Sequence, residues 1–220
     1  MKKIKSILFS NLCLLFVTVS VFSQNKIITK EEYSSALGNS ATKADKIPNR
    51  ITRTTSFYKN KVLNSTTKYI SENIPPDKFR WVNIDEKNGV IVRNERIKIA
   101  DIEYSKKGDG DWEKRDLKSD KSVFGGMMTG EIIETKDCWE YLLINTTLDN
   151  QLVNLYFSYH VSEIQKILYF TESRDWINSD GLILKAMYKV SNTIPENVTN
   201  VTNTTYEYNP KDLKIEAPIK

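Results

Sequence analysis

Few residues of this 220-residue chain have the chemistry for catalysis, and their spacing argues against it. There is one histidine, His160, so any Ser–His–Asp or Cys–His mechanism must run through it. His160 ends an alternating segment on the side opposite Tyr159, and no neighbour in sequence supplies a nucleophile or an orienting acid, which reads as a rim residue. Cys138 begins the largely apolar stretch Cys138-Trp139-Glu140-Tyr141-Leu142 with no histidine or second cysteine beside it, the setting of a small buried hydrophobe. One histidine and two cysteines cannot furnish the usual tetrahedral zinc sets. Asp109, Asp111 and Asp116 suggest a calcium loop, but the EF-hand pattern needs glycine at its sixth position and glutamate at its twelfth. Counted from Asp109, those positions hold Lys114 and Asp120. Glu131, Glu134 and Glu140 read as scattered surface acids, and no glycine-rich loop precedes a helix to cradle a phosphate. The expected function is binding, without enzyme activity, cofactor or metal.

Charge narrows the partner. The chain carries 32 Lys+Arg against 28 Asp+Glu, a net +4 that at first sight points to an acidic partner. Three of those bases, Lys2, Lys3 and Lys5, fall in the first 23 residues, which contain no acid, so 29 bases face 28 acids in the rest. In the richest charge run, Glu113 to Lys121, acids and bases interleave, which makes a solvated face and no phosphate-tracking stripe. Nucleic acid is excluded as a partner on this reading.

Those first 23 residues, MKKIKSILFSNLCLLFVTVSVFS, have the form of a cleaved secretory signal: a basic start, an apolar run, and Val21 and Ser23 as small residues before Gln24. The apolar run from Ile7 to Phe22 spans 16 residues and includes Ser10 and Asn11, short of the roughly 20 a membrane span needs. Cys13 lacks the Leu-x-small-Cys context of a lipid-anchored precursor. The expectation is an exported protein without stable membrane insertion, cleaved near Ser23, resident in the periplasm or secreted beyond it. Cleavage leaves Cys138 as the single cysteine, so the fold must rest on its core.

The elements that must position any site follow from periodicity. Residues 29–45 predict a helix: Thr29 caps, Glu31 and Glu32 suit the first turn, and Tyr33, Leu37 and Ala41 form one apolar stripe. From Arg50 the period changes to two, and about ten strands follow, ending with Leu213–Ile219. Asn88-Gly89 and Asp180-Gly181 are hairpin signals, and Pro75-Pro76-Asp77 makes a turn. Such a pattern predicts one antiparallel sheet curled into a barrel or half-barrel, in a single domain over 24–220. Val153, Leu155, Phe157 and Tyr159 mark one apolar strand face, and Leu182, Leu184 and Tyr188 another. Between them, Ser122 to Gly130 sets Phe124, Met127 and Met128 among three glycines, the composition of a loop with adaptable apolar side chains.

The order of these features resembles a known superfamily. A short helix leads into Arg50–Lys59, and Pro75-Pro76-Asp77-Lys78-Phe79-Arg80 opens the next strand pair. Ile97-Lys98-Ile99-Ala100-Asp101-Ile102-Glu103-Tyr104 then precedes a glycine-rich turn into Trp112. Arg174-Asp175-Trp176-Ile177 stands before Gly181-Leu182-Ile183-Leu184-Lys185, and the chain closes on Thr204 to Asn209 and Leu213-Lys214-Ile215-Glu216-Ala217-Pro218. Together these are similar to the LolA-like superfamily of outer-membrane lipoprotein carriers and periplasmic lipid-binding proteins. The resemblance implies an open half-barrel with an apolar cavity under a lid, and a carrier or sensor of lipid or lipoprotein acyl chains. Val153, Leu155, Phe157, Tyr159, Leu182, Leu184 and Tyr188 would line the cavity, and Phe124, Met127 and Met128 would form the lid. The other reading is an envelope protein-interaction module with a closed core, docking an envelope protein through a sheet edge or the 113–130 loop. In that case the same apolar residues simply fill the core.

Overall fold

Alternating patterns of β-branched and aromatic residues from Arg50 onward commit the chain to strands. The computed structural model describes residues 25–119, 138–164, 167–192 and 198–219, and shows twelve strands in one sheet with every neighbouring pair antiparallel. In chain order the elements are β1 (Lys26–Ile27), α1 (Lys30–Ala44), β2 (Asn49–Lys59), β3 (Val62–Ile74), β4 (Lys78–Lys87), β5 (Val90–Ile99), β6 (Ile102–Lys107) and β7 (Glu113–Asp116). After them come β8 (Cys138–Leu148), β9 (Gln151–Ile164), β10 (Ile167–Ile177), β11 (Ile183–Asn192) and β12 (Val198–Tyr208). The spatial order is β1-β8-β9-β10-β11-β12-β2-β3-β4-β5-β6-β7, which leaves β1 and β7 as edges. The sheet is therefore an open half-barrel with an N-terminal helix. Apart from the short β1 beside β8, it consists of two meanders, β2–β7 and β8–β12, joined where β12 pairs with β2 from Tyr208 opposite Asn49 to Asn200 opposite Phe57.

Local chemistry sets the boundaries. The Thr29 hydroxyl accepts from the Glu32 amide at 3.1 Å while the Glu32 carboxylate accepts from the Thr29 amide at 2.8 Å, a capping box that starts α1 one residue inside the predicted span. At the other end Asn49 Nδ2 donates to the Ala44 and Ile47 carbonyls at 2.9 and 2.8 Å, satisfying helix-end acceptors and turning the chain into β2. The Asn88-Gly89 hairpin forms as expected, with φ of +53° and +75°. Asn60-Lys61 and Asp149-Asn150 make two-residue turns of the same left-handed kind without a glycine.

Two expectations about strands need correction. The count rises from about ten to twelve, because two-residue β1 and four-residue β7 are too short to show a period. Leu213–Ile219 was expected as a final strand and pairs with none. Pro210 precedes it and Pro218 falls within it, and neither has an N–H to offer a ladder. Instead its Ile215 is 2% exposed, clustered with Ile97 and Tyr104.

Residues directly opposed in antiparallel strands share a face, which separates the two sides of the sheet. Tyr33 of α1 meets the rings of Tyr141 and Tyr156 with centroids 5.2 and 6.5 Å apart, so these define the helix side. On the back side, Arg50 Nε binds Glu72 at 2.7 Å, Glu72 also binds Arg80 at 2.9 Å, and Glu95 bridges Arg80 at 2.6 Å and Arg93 at 3.1 Å. The same Arg50 holds Asp212 at 3.0 Å, pinning the C-terminal segment beside its Ile215 anchor. No helix among the described residues is long and apolar enough to cross a membrane.

Candidate functional site

The helix side carries three clefts that meet at shared aromatic residues. Under α1, Ala41 and Ala44 face Ile51, Trp81, Ile183 and Tyr206 across a cavity of about 390 Å³. Small residues on this helix face let the cavity form: Ser40 is buried, and its hydroxyl accepts from the Ile183 amide at 2.8 Å, seating the helix over β11. Trp81 is also a wall of a second cleft, about 770 Å³, where Tyr69, Asn83, Asn94, Ser105 and Lys107 come from β3 to β6. Tyr206 in turn borders a third cleft of about 380 Å³, with Arg53, Thr55, Asp175, Thr202 and Thr204. Phe79 and Trp81 stack at 5.7 Å and form an aromatic floor between the first two.

This groove is aromatic and hydroxyl-rich where the sequence suggested aliphatic. Thr55 and Thr202 face each other at 2.9 Å across the β2–β12 seam. Asp175 accepts from Tyr33 Oη at 2.9 Å and Ser173 Oγ at 3.1 Å. Burial pushes the Asp175 carboxyl above its ordinary value, against the two hydroxyl donors. Burial, reinforced by Asp175, pushes the Tyr33 hydroxyl up to about 12, and burial does the same to Tyr208, helped by Tyr206. Tyr206 is raised too, by burial and then by Asp175, with Arg53 acting in the opposite sense. The Oδ1 atoms of Asn73 and Asn94 are buried on this side without a partner among the described residues, which marks places for water or ligand donors.

The expected lining residues do not gather in one cavity. Val153, Leu155, Phe157 and Tyr159 oppose Thr146, Ile144, Leu142 and Glu140, all on the back side, whereas Tyr156 and Ser158 point with Tyr141 toward α1. A one-residue offset along a strand exchanges the two faces, and apolar character alone does not say which face a helix will cover. Tyr188 does reach the helix-side groove, at the third cleft. Leu182 belongs to the β10–β11 turn, its amide donating to Asn178 Oδ1 at 2.9 Å. Leu184 is the unpaired residue of a bulge, since Ile177 pairs with Ile183 and Trp176 with Lys185. Phe124, Met127 and Met128, like residues 1–24, lie outside the described residues.

Sequence reasoning missed Arg53, Asp175 and Tyr206. A signal was available: Thr55, Thr67, Thr202 and Thr204 recur at strand period on three adjacent strands, so their shared face had to be polar. His160 stacks on Trp139 with ring centroids 3.7 Å apart. Among the described residues no group of three His, Cys, Asp or Glu is placed to hold a metal.

No family model and no curated protein matches the sequence. Among solved structures, the chain is similar to a domain assigned to outer membrane lipoprotein sorting from Vibrio parahaemolyticus. That likeness has 9% identity over 84% of this chain and 95% of the other, with a TM-score of 0.31. It is also similar to a DUF1329 family protein from Desulfovibrio piger, at 10% identity over 87% of this chain and 94% of the other, with a TM-score of 0.27.

Proposed function

We propose that the protein is an exported, non-enzymatic carrier or sensor that takes an acyl chain of a lipid or lipoprotein into the helix-side groove. The observation that carries this reading is the adjacency of the three clefts, which share Trp81 and Tyr206 as lining residues, beside a helix whose facing residues are small. Together they offer the volume of a ligand site, and each methylene buried there contributes about 0.8 kcal/mol. The reading places the protein in the periplasm, with lipid or lipoprotein as the partner.

The test is native mass spectrometry of delipidated protein after incubation with envelope lipid extract. Lipid adducts are expected on the wild type and their loss from Ala41→Phe, which fills the cavity under α1, with circular dichroism confirming the fold. A wild type that emerges without adducts ends the proposal. A second reading, a module that docks an envelope protein, draws on the exposed Val62, Leu63, Val90 and Ile91 at two neighbouring hairpin ends. It predicts a bare wild type in the same experiment.

A further inference from the structure

One row of the sheet carries a charged side chain at each end of a small-residue floor. Asp175 of β10, Ala186 of β11, Thr204 of β12 and Arg53 of β2 stand directly opposite one another in successive strands. Their Cα positions span three strand spacings, about 14 Å, before the side chains reach inward. Ala186 and Thr204 are short, and the space above them is the 380 Å³ cleft, walled by Thr55, Thr202, Tyr188 and Tyr206.

The two ends are both available. Asp175 is 7% exposed, and among the described residues its two hydrogen bonds fall on Oδ2, which leaves Oδ1 for a second donor. Arg50, Arg80, Arg93, Arg96 and Arg174 each pair with a carboxylate. Arg53 makes no ion pair among the described residues. A guanidinium without a counterion and a buried carboxyl, facing one trough, are the complement of a dipolar solute.

We propose that this trough binds a zwitterionic phosphoamine headgroup, its phosphate on the Arg53 guanidinium and the Thr55–Thr202 hydroxyls and its ammonium on Asp175. A free amino acid separates its charges by a single carbon, too little to reach from one end to the other. A phosphoethanolamine ester inserts an ester oxygen and two carbons between phosphorus and nitrogen. Tyr206 lines both the trough and the cavity under α1, so an apolar space for the tails of such a lipid lies beside the trough. The raised carboxyl of Asp175 fits the same picture, because an arriving ammonium compensates the burial that raises it.

The inference deepens the carrier reading and rests on it, and an acyl-free probe separates the two. Isothermal titration of glycerophosphoethanolamine, glycerol 3-phosphate and ethanolamine into the full mature chain is the experiment. The zwitterion is expected to bind at least tenfold more tightly than either fragment. Arg53→Gln should weaken it at least tenfold. Asp175→Asn should weaken it at least fivefold while leaving glycerol 3-phosphate unchanged or tighter. Lys26→Gln, which removes only a surface ion pair to Glu32 far from the trough, should stay within twofold of wild type. Equal binding of zwitterion and glycerol 3-phosphate overturns the proposal, as does an Arg53→Gln variant that binds like the wild type. A silent titration with lipid adducts still present in mass spectrometry sinks the headgroup site alone, and silence in both experiments sinks the carrier reading with it.

Discussion

The two faces of this sheet use similar residue types to opposite ends. On the back, charge is matched: Glu72 sits between Arg50 and Arg80, and Glu95 between Arg80 and Arg93, with Val82 beside them only 1% exposed. On the helix side, polar groups keep spare capacity among the described residues: Arg53 without an ion pair, Asp175 with one oxygen engaged, and buried Asn73 and Asn94 side-chain carbonyls with no partner. Complete satisfaction holds a fold in one arrangement, while spare hydrogen-bonding capacity around open volume suits a guest. The back face therefore carries stability, and the groove face carries recognition.

The sharpest way to break that division is Glu72→Ala. It removes the carboxylate shared by two partly buried guanidiniums, which keep Asp212 and Glu95, and urea unfolding should register a loss of about 3 kcal/mol. A loss within the error of the measurement would mean that the ladder is ornamental and the division of labour wrong. Next in size is Ile215→Ala, where a cavity opens against Ile97 and Tyr104. About 2–3 kcal/mol is expected, and scattering should show the chain still monodisperse.

Acid titration sharpens the comparison through two carboxylates with opposite slopes. Burial works to raise Glu95, but hydrogen bonds from Arg80 and Arg93 win and hold it below its ordinary 4.5. Its contribution is present above pH 4.5 and is lost as pH falls through the lower folded value. Asp175 is raised above 3.8, so its contribution is present below that pH and is lost as pH rises through the folded value. Denaturant melts across pH 3 to 7 should show the Glu95→Gln deficit shrinking toward acid. The Asp175→Asn variant should gain on wild type as pH rises. Parallel curves for the two variants would refute the assignment. The smallest effect belongs to Thr55→Val: about 1 kcal/mol or less, because the Thr55–Thr202 bond sits half-exposed at an already paired seam.

How much of this was legible beforehand depends on range. Thr29 and Glu32 announce α1, and Asn88-Gly89 announces its hairpin, because capping and turn chemistry act within a few residues. Which side of β9 faces the groove is a long-range fact, set by Tyr33 reaching Tyr156 and Asp175 from more than a hundred residues away in sequence. Apolar alternation located Val153, Leu155, Phe157 and Tyr159 correctly as one face but could not say that α1 would cover the other. Arg53 and Asp175 lie 122 positions apart, and only the β12–β2 seam puts them in one row. The final segment misled for a local reason: its alternation imitates a strand, while two prolines withhold the ladder.

That seam also dictates a schedule. Each meander can zip hairpin by hairpin from contacts close in sequence, but the middle of the finished sheet joins residues 49–59 to residues 198–208. Until the last tenth of the chain is available, β2 is a raw edge, able to pair with any passing strand. Non-local closure of this kind is slow. A polypeptide delivered N-terminus first would therefore emerge with its future centre unprotected, and its yield in the cell should depend on holdase chaperones until the carboxyl end arrives.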